Sequence, residues 1–221
     1  SLNEIPQTGR MSGDAQNNPD PSFAGRKITG IGSFQGRLVF LSGDSVSMSA
    51  SNEIGHWYRV SVTSLADSDT IDAQGTTTSG VNYRFAVPLD GDLILFSATQ
   101  QSTITGRAVV TPKNISLAPS GMLPKLPTIK PVHTGRGLLL ASPTAPGYCS
   151  IWEITGGQYR DSTYSQHDTT LHLPTYIGDD LYTLSAGQTG KYAVAVQGDC
   201  SLRVLSTVQH LGEVVQQSWH T

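Results

Sequence analysis

Charge is scarce in this sequence. Asp, Glu, Lys and Arg make up 14% of its 221 residues, and 14 basic against 17 acidic side chains leave a formal charge of −3. That balance excludes a surface built to wrap DNA or to lie on an anionic membrane, because both need a surplus of cations. Cysteine is scarcer still, with only Cys149 and Cys200 present. Two cysteines make neither a disulfide framework nor a zinc site; reduced thiols in or near the core are expected, with a single bridge as the alternative. No run of 18 apolar residues exists, which excludes a membrane-spanning helix. No segment keeps apolar residues at helical spacing over three turns, so long helices are not expected. One short helical turn fits Asn52 to Trp57. No signal-peptide pattern opens the chain. Its first residue is Ser1 rather than methionine, from which a piece of something longer is expected.

What the chain does have is Ser, Thr, Gly and Pro. With 23 Gly, 12 Pro and 37% apolar residues, it suits many short strands joined by turns. Residues 1–26 are polar and aperiodic and read as an arm or linker, disordered alone or ordered only against a partner. Residues 27–221 read as one repeated antiparallel β domain.

The repeat is visible in the text. "GRLVFLSGDSVSMSA" at Gly36 is echoed by "GDLILFSATQQSTITG" at Gly91. Each copy offers an apolar strand, a turn and an alternating partner strand: Leu38 to Leu41 with Val46 and Met48 after "SGD", then Leu93 to Phe96. The first run is apolar on both faces, which marks a central strand. The second copy is preceded by a strand through Phe85 and Val87, with its turn placed at Pro88 to Gly91. A third copy has strands Leu138 to Ala141 and Cys149 to Ile154 around a loop with Pro143, Pro146 and Gly147. A fourth, degenerate copy has Tyr192 to Val196, a "QGDC" turn and Leu202 to Val208. Gly36, Gly91, Gly137 and Gly190 mark intervals of 55, 46 and 53 residues. Four-stranded units at that period predict an all-β, propeller-like arrangement with about four blade-like repeats; a β-sandwich pair is the alternative.

Chemistry-bearing clusters are few. Asp67, Asp69 and Asp72 crowd "LADSDTID", but a Ca²⁺ loop counted from Asp67 needs Gly and Glu where Asp72 and Thr78 stand. A solvated turn or a subunit contact is the expectation. Glu153, Asp179 and Asp180 are the carboxylates weighed for glycan cleavage; no spacing pairs them, and the S-x-D-x-G-x-x-W signature of sialidase-type propellers is absent. His167 and His172 form the one close histidine pair, five apart and on opposite faces of a strand. No G-x-S-x-G, Walker loop or G-x-G-x-x-G occurs. Trp57 and Trp152 read as core or interface anchors, and Trp219 as an edge residue packing on something beyond the chain or stacking on a ligand. No catalytic, metal or cofactor-binding residue is assigned. Candidate interface residues are Asp67, Asp69, Asp72, Trp57 and Trp219.

The wording of the blocks carries more. "FQGRLVFLSGDSVSMSASNEIGHWYRVSVTSLADSDTIDA", "AVPLDGDLILFSATQQSTITGRAVVTPKNISLAPS" and the closing "EVVQQSWHT" resemble the podophage tail tubular protein B family, the nozzle proteins of short-tailed phages. The likeness is good over residues 28–119 and looser over 120–221. It departs from the family's "DSDPID" at Thr70, and family proteins are several times longer. The resemblance implies a non-enzymatic virion component without cofactors, assembled in the host cytoplasm. It implies a homo-hexamer in the full-length assembly, contacts with a tail tube adaptor and tail fibre proteins, and genomic DNA passing through the lumen without specific binding. A polysaccharide-degrading tail enzyme and a carbohydrate- or receptor-binding module are the competing classes.

Overall fold

The computed structural model describes residues 7–75, 81–97, 100–121, 129–156, 164–211 and 213–221. It is all-β, with no helix among the described residues. Strands β1 (Gly30–Phe34), β2 (Arg37–Ser42), β3 (Ser45–Met48) and β4 (Ile71–Gln74) form the first sheet. The second holds β5 (Tyr83–Leu89), β6 (Asp92–Ser97), β7 (Gln101–Ile104) and β8 (Leu117–Gly121). The third holds β9 (Val132–His133), β10 (Gly137–Ala145), β11 (Tyr148–Thr155) and β12 (Ser165–Asp168). The fourth holds β13 (Leu181–Ala186), β14 (Tyr192–Gln197), β15 (Leu202–His210) and β16 (Glu213–His220). In every sheet the strands lie side by side in chain order, the meander expected of a blade.

The repeat markers occupy one topological place. Gly36, Gly91 and Gly190 lie between the first and second strands of their sheets, and Gly137 opens β10, the second strand of its own. The four apolar runs are therefore β2, β6, β10 and β14, which have a neighbour on each side. In the first two copies the turn residues Gln35 and Gly36, and Asp90 and Gly91, all have positive φ. That geometry matches the twist of a tight hairpin.

Two prolines expected in turns lie in strands instead. Pro88 belongs to β5, an edge strand, so its missing N–H deprives no ladder. Pro143 belongs to β10, beside a register shift and beyond the two residues that β9 pairs. The helical turn expected at Asn52 to Trp57 is absent. Separate i to i+3 turns stand there, His56 N–H to the Glu53 carbonyl among them, and Asn52 at φ 60° cannot continue a right-handed helix.

The chain divides into two compact units, Ser1–Ser120 and Gly121–Thr221. In the first unit, inward side chains of its two sheets share one core that includes Val39, Leu41, Met48, Ile71, Tyr83, Leu93, Leu95 and Ile104. Close approach of β1 to β5 needs glycine. A methyl group at Gly30 would collide with the Arg84 carbonyl oxygen, a backbone atom that cannot yield. In the second unit the core between its two sheets is made of smaller groups: Leu139, Ala141, Cys149, Ile151, Ala193, Ala195 and Leu205 among them.

Residues 1–6 of the expected arm lie outside the described residues; the rest fold back onto the first unit. Thr8 N–H donates to the Gly55 carbonyl, and Asn18 Nδ2 to the carbonyls of Ser12 and Arg59. Phe23 packs edge-on against Phe40 and Trp57, ring centroids 5.0 and 4.8 Å away. Phe40 and Trp57 stack on each other at 4.7 Å. This explains why β2 is apolar on both faces: one meets the neighbouring sheet, the other meets the arm and the long β3–β4 connection.

Candidate interaction surfaces

The acidic stretch comes apart into three unlike environments. Asp69 is 1% exposed, and its carboxylate accepts the backbone N–H groups of Val60 and Ala66. Asp72 accepts from Ser22 N–H and Oγ and from Ser47 Oγ, so it ties the arm to β3. Asp67 alone is open, and pairs with Lys113 at 2.9 Å. Carboxylates already occupied in this way do not converge on an ion, and no cluster of three or more potential metal ligands exists among the described residues.

The residue that organises this stretch is Arg37, which sequence reasoning missed. It is 2% exposed. Its guanidinium donates to the carbonyls of Ser49 at 2.8 Å, Asp69 at 2.7 Å and Asp67 at 2.8 Å. Burial lowers its proton affinity, and the Asp69 charge works against that. With a longer bond to the Ser68 carbonyl as well, this buried cation ties the β3–β4 connection to the end of β3. The available signal was an arginine directly after the Gln–Gly turn, at the head of an otherwise apolar strand.

The second unit carries a comparable clamp. Glu153, weighed as a catalytic acid, is buried with both oxygens held by Arg136, and Gln217 Nε2 lies 3.5 Å away. Asp180 binds Gln197 and the Gly198 N–H instead, so the carboxylates hold separate partners. His167 lies in β12 and His172 in the turn after it. Cys149 is buried with its Sγ 3.2 Å from the Gly178 carbonyl; burial, then the charges of Asp179 and Asp180, push its thiol up to about 12. Cys200 is exposed in a turn, not in or near a core, and both cysteines are free.

The tryptophans are used internally. Trp57 is 5% exposed with one face covered by Phe40. Trp219 packs on the core of the second unit and donates its indole N–H to the Thr169 carbonyl at 3.2 Å. Trp57 is closed off inside the first unit, whereas Trp219 is half-buried on β16. Trp152 is half-buried on β11.

The fold thus defines an all-β scaffold whose buried charges brace loops and whose chemistry-bearing residues, among those described, do not converge. Comparison with known proteins gives the class. A model of the bacteriophage nozzle protein family matches residues 1–221. The chain belongs to that family. The tail tubular protein gp12 of Escherichia phage T7 is 30% identical over 212 residues, 95% of this chain and 27% of that protein. The chain therefore spans about a quarter of the length of this relative.

Proposed function

We propose that this chain forms part of the wall of a tail conduit through which phage DNA leaves the virion. Membership of the nozzle family makes it part of a structural tail protein. In the proposed assembly the full-length protein is a homo-hexamer in the tail, built in the host cytoplasm, joined to a tail tube adaptor and to tail fibre proteins, and without enzymatic activity. The observation that carries this reading is the use of buried charge. Buried Arg37, Asp69 and Glu153, the last with half-buried Arg136, brace backbone or one another, which suits a wall that bears load. Low charge density suits a lumen along which DNA slides, since each cation facing a phosphate releases counterions and creates a binding well.

Electron microscopy of the full-length protein tests the assembly: six-fold rings with an open channel are expected, and closed particles or unassociated monomers would overturn it. Binding of duplex DNA to those rings is expected to be weak and independent of sequence. Sequence-selective binding would count against a passive channel.

A further inference from the structure

The second strands of the four sheets are not equally covered. β6 turns Leu93 and Leu95 into the core of the first unit, and Ile94 and Phe96 on its other face are buried as well. β10 does the same: Leu139 and Ala141 enter the core of the second unit, and Leu138 and Leu140 are buried on the other side. The second face of β2 meets the arm through Phe40. β14 differs. Ala193 and Ala195 enter the core of the second unit, but Val194 and Val196 belong to neither core and stay half-buried.

Strand register shows how far this open face extends. Val194 stands between Ser185 on β13 and Val204 on β15, and Val204 stands opposite His220 on β16. In the next row Val196 stands between Thr183 and Leu202. On the other side Tyr192 stands opposite Ser206, and Ser206 opposite Ser218. Tyr192 is 55% exposed and Leu202 49%. These rows hold apolar residues and short uncharged ones, with no Asp, Glu, Lys or Arg among them. A sheet face meant for water alternates with polar and charged residues, whereas a strand covered on both sides reads apolar on both, as "YAVAV" does. Serines beside the valines leave room for a second sheet to approach closely.

We propose that a further sheet of the full-length protein, outside these 221 residues, packs face to face on this side of the fourth sheet, with Val194 and Val204 at the centre and Tyr192 and Leu202 at the rim. Two observations make the same polypeptide the occupant. β6 and β10 are covered on both faces within one chain, so this strand plan already supplies its own cover. This chain also matches only 27% of its T7 relative, which leaves about three quarters of that length for further sheets. Cover from the same chain avoids the loss of translational and rotational freedom that a separate partner would bring. In this respect the proposal rests on the reading of the chain as part of a longer tail protein.

The test uses that full-length protein with photoreactive benzoylphenylalanine in place of Leu202. Unlabelled and isotope-labelled copies are mixed before assembly and irradiated. Adducts are expected between position 202 and peptides outside residues 1–221, each adduct carrying a single isotope. Mixed-isotope adducts mean that a second copy covers the face, and adducts within residues 1–221 mean that these sheets cover it themselves; either result overturns the proposal, as does the absence of any adduct. Hydroxyl-radical footprinting of the unaltered protein gives a readout free of the substitution. Loss of oxidation at Tyr192, Leu202 and Val204 is expected in the isolated full-length protein. Ready oxidation there, or protection that arises only in the virion, overturns the proposal in favour of an open face or of another tail protein. Six-fold rings whose face stays reactive would sink this contact and leave the conduit reading standing. Single-isotope adducts in a protein that forms no rings would do the reverse.

Discussion

The two units share one strand plan and use it differently. The first turns its bulk inward. Tyr83, Phe96, Leu41, Met48, Leu93, Leu95 and Ile104 are among its largest fully buried side chains, and its arm covers the second face of β2. The second unit fills its core with alanines and a cysteine beside a few leucines and isoleucines, while Leu171, Tyr182, Tyr192, Val208, Leu211 and Val215 stay exposed. The first unit also leaves apolar side chains exposed, Met11, Ile31, Val60 and Val109 among them, so the difference between the units lies in what fills the core rather than in what the surface offers.

Exchange of Arg37 for alanine should sharpen that contrast most. It takes the donor away from the buried carbonyls of Ser49, Asp67 and Asp69 and removes the cation beside the Asp69 carboxylate, and a loss of about 3–5 kcal/mol is expected. Denaturant unfolding measures it; a loss near zero would mean the loop is held by something other than the clamp. The matching change in the second unit, Glu153→Gln, should cost less, about 1–2 kcal/mol, because Arg136 is partly solvated and can turn to water. An effect equal to that of Arg37→Ala would erase the distinction between a sealed and an open clamp.

Phe23→Ala removes two aromatic edge contacts, each worth about 0.5–1.5 kcal/mol. Faster hydrogen exchange is expected across residues 7–26 and around Trp57, with the β5–β8 sheet unaffected. The smallest effects concern the thiols. Cys200 should react with a maleimide in the native protein, and Cys149 only after unfolding. Because burial raises the Cys149 pKa from its ordinary 9.0 to about 12, the neutral thiol favours the folded state. Its contribution is complete below pH about 9 and is lost as pH rises toward 12, so Cys149→Ser should flatten alkaline destabilisation in that window. An unchanged alkaline limb would sink this.

Much of the architecture was legible because hairpin grammar is local. "LVFLSGD" spells an apolar strand and a tight turn within seven residues, and the fold places both where the text does. The closing strand β16 was harder. "EVVQQSWH" is nearly all exposed, since an edge strand buries little, and polar text hides its ladder with β15. Pro88 and Pro143 misled for the opposite reason. Proline marks turns on average, but an edge position removes its penalty, and edges are decided by which strands end up outermost.

The sequence by itself determined that the chain is all-β, that four similar sheets recur, and to which family its blocks belong, because strand period, turn residues and block order are written in nearest neighbours along the chain. Only the tertiary structure decided that Arg37 grips the Asp67–Asp69 segment from 30 residues away, that Glu153 is bound by Arg136, and that Phe23 closes over Trp57. Those pairings join residues far apart in the chain, and their partners are chosen by the packing of sheets and loops, which no local pattern encodes.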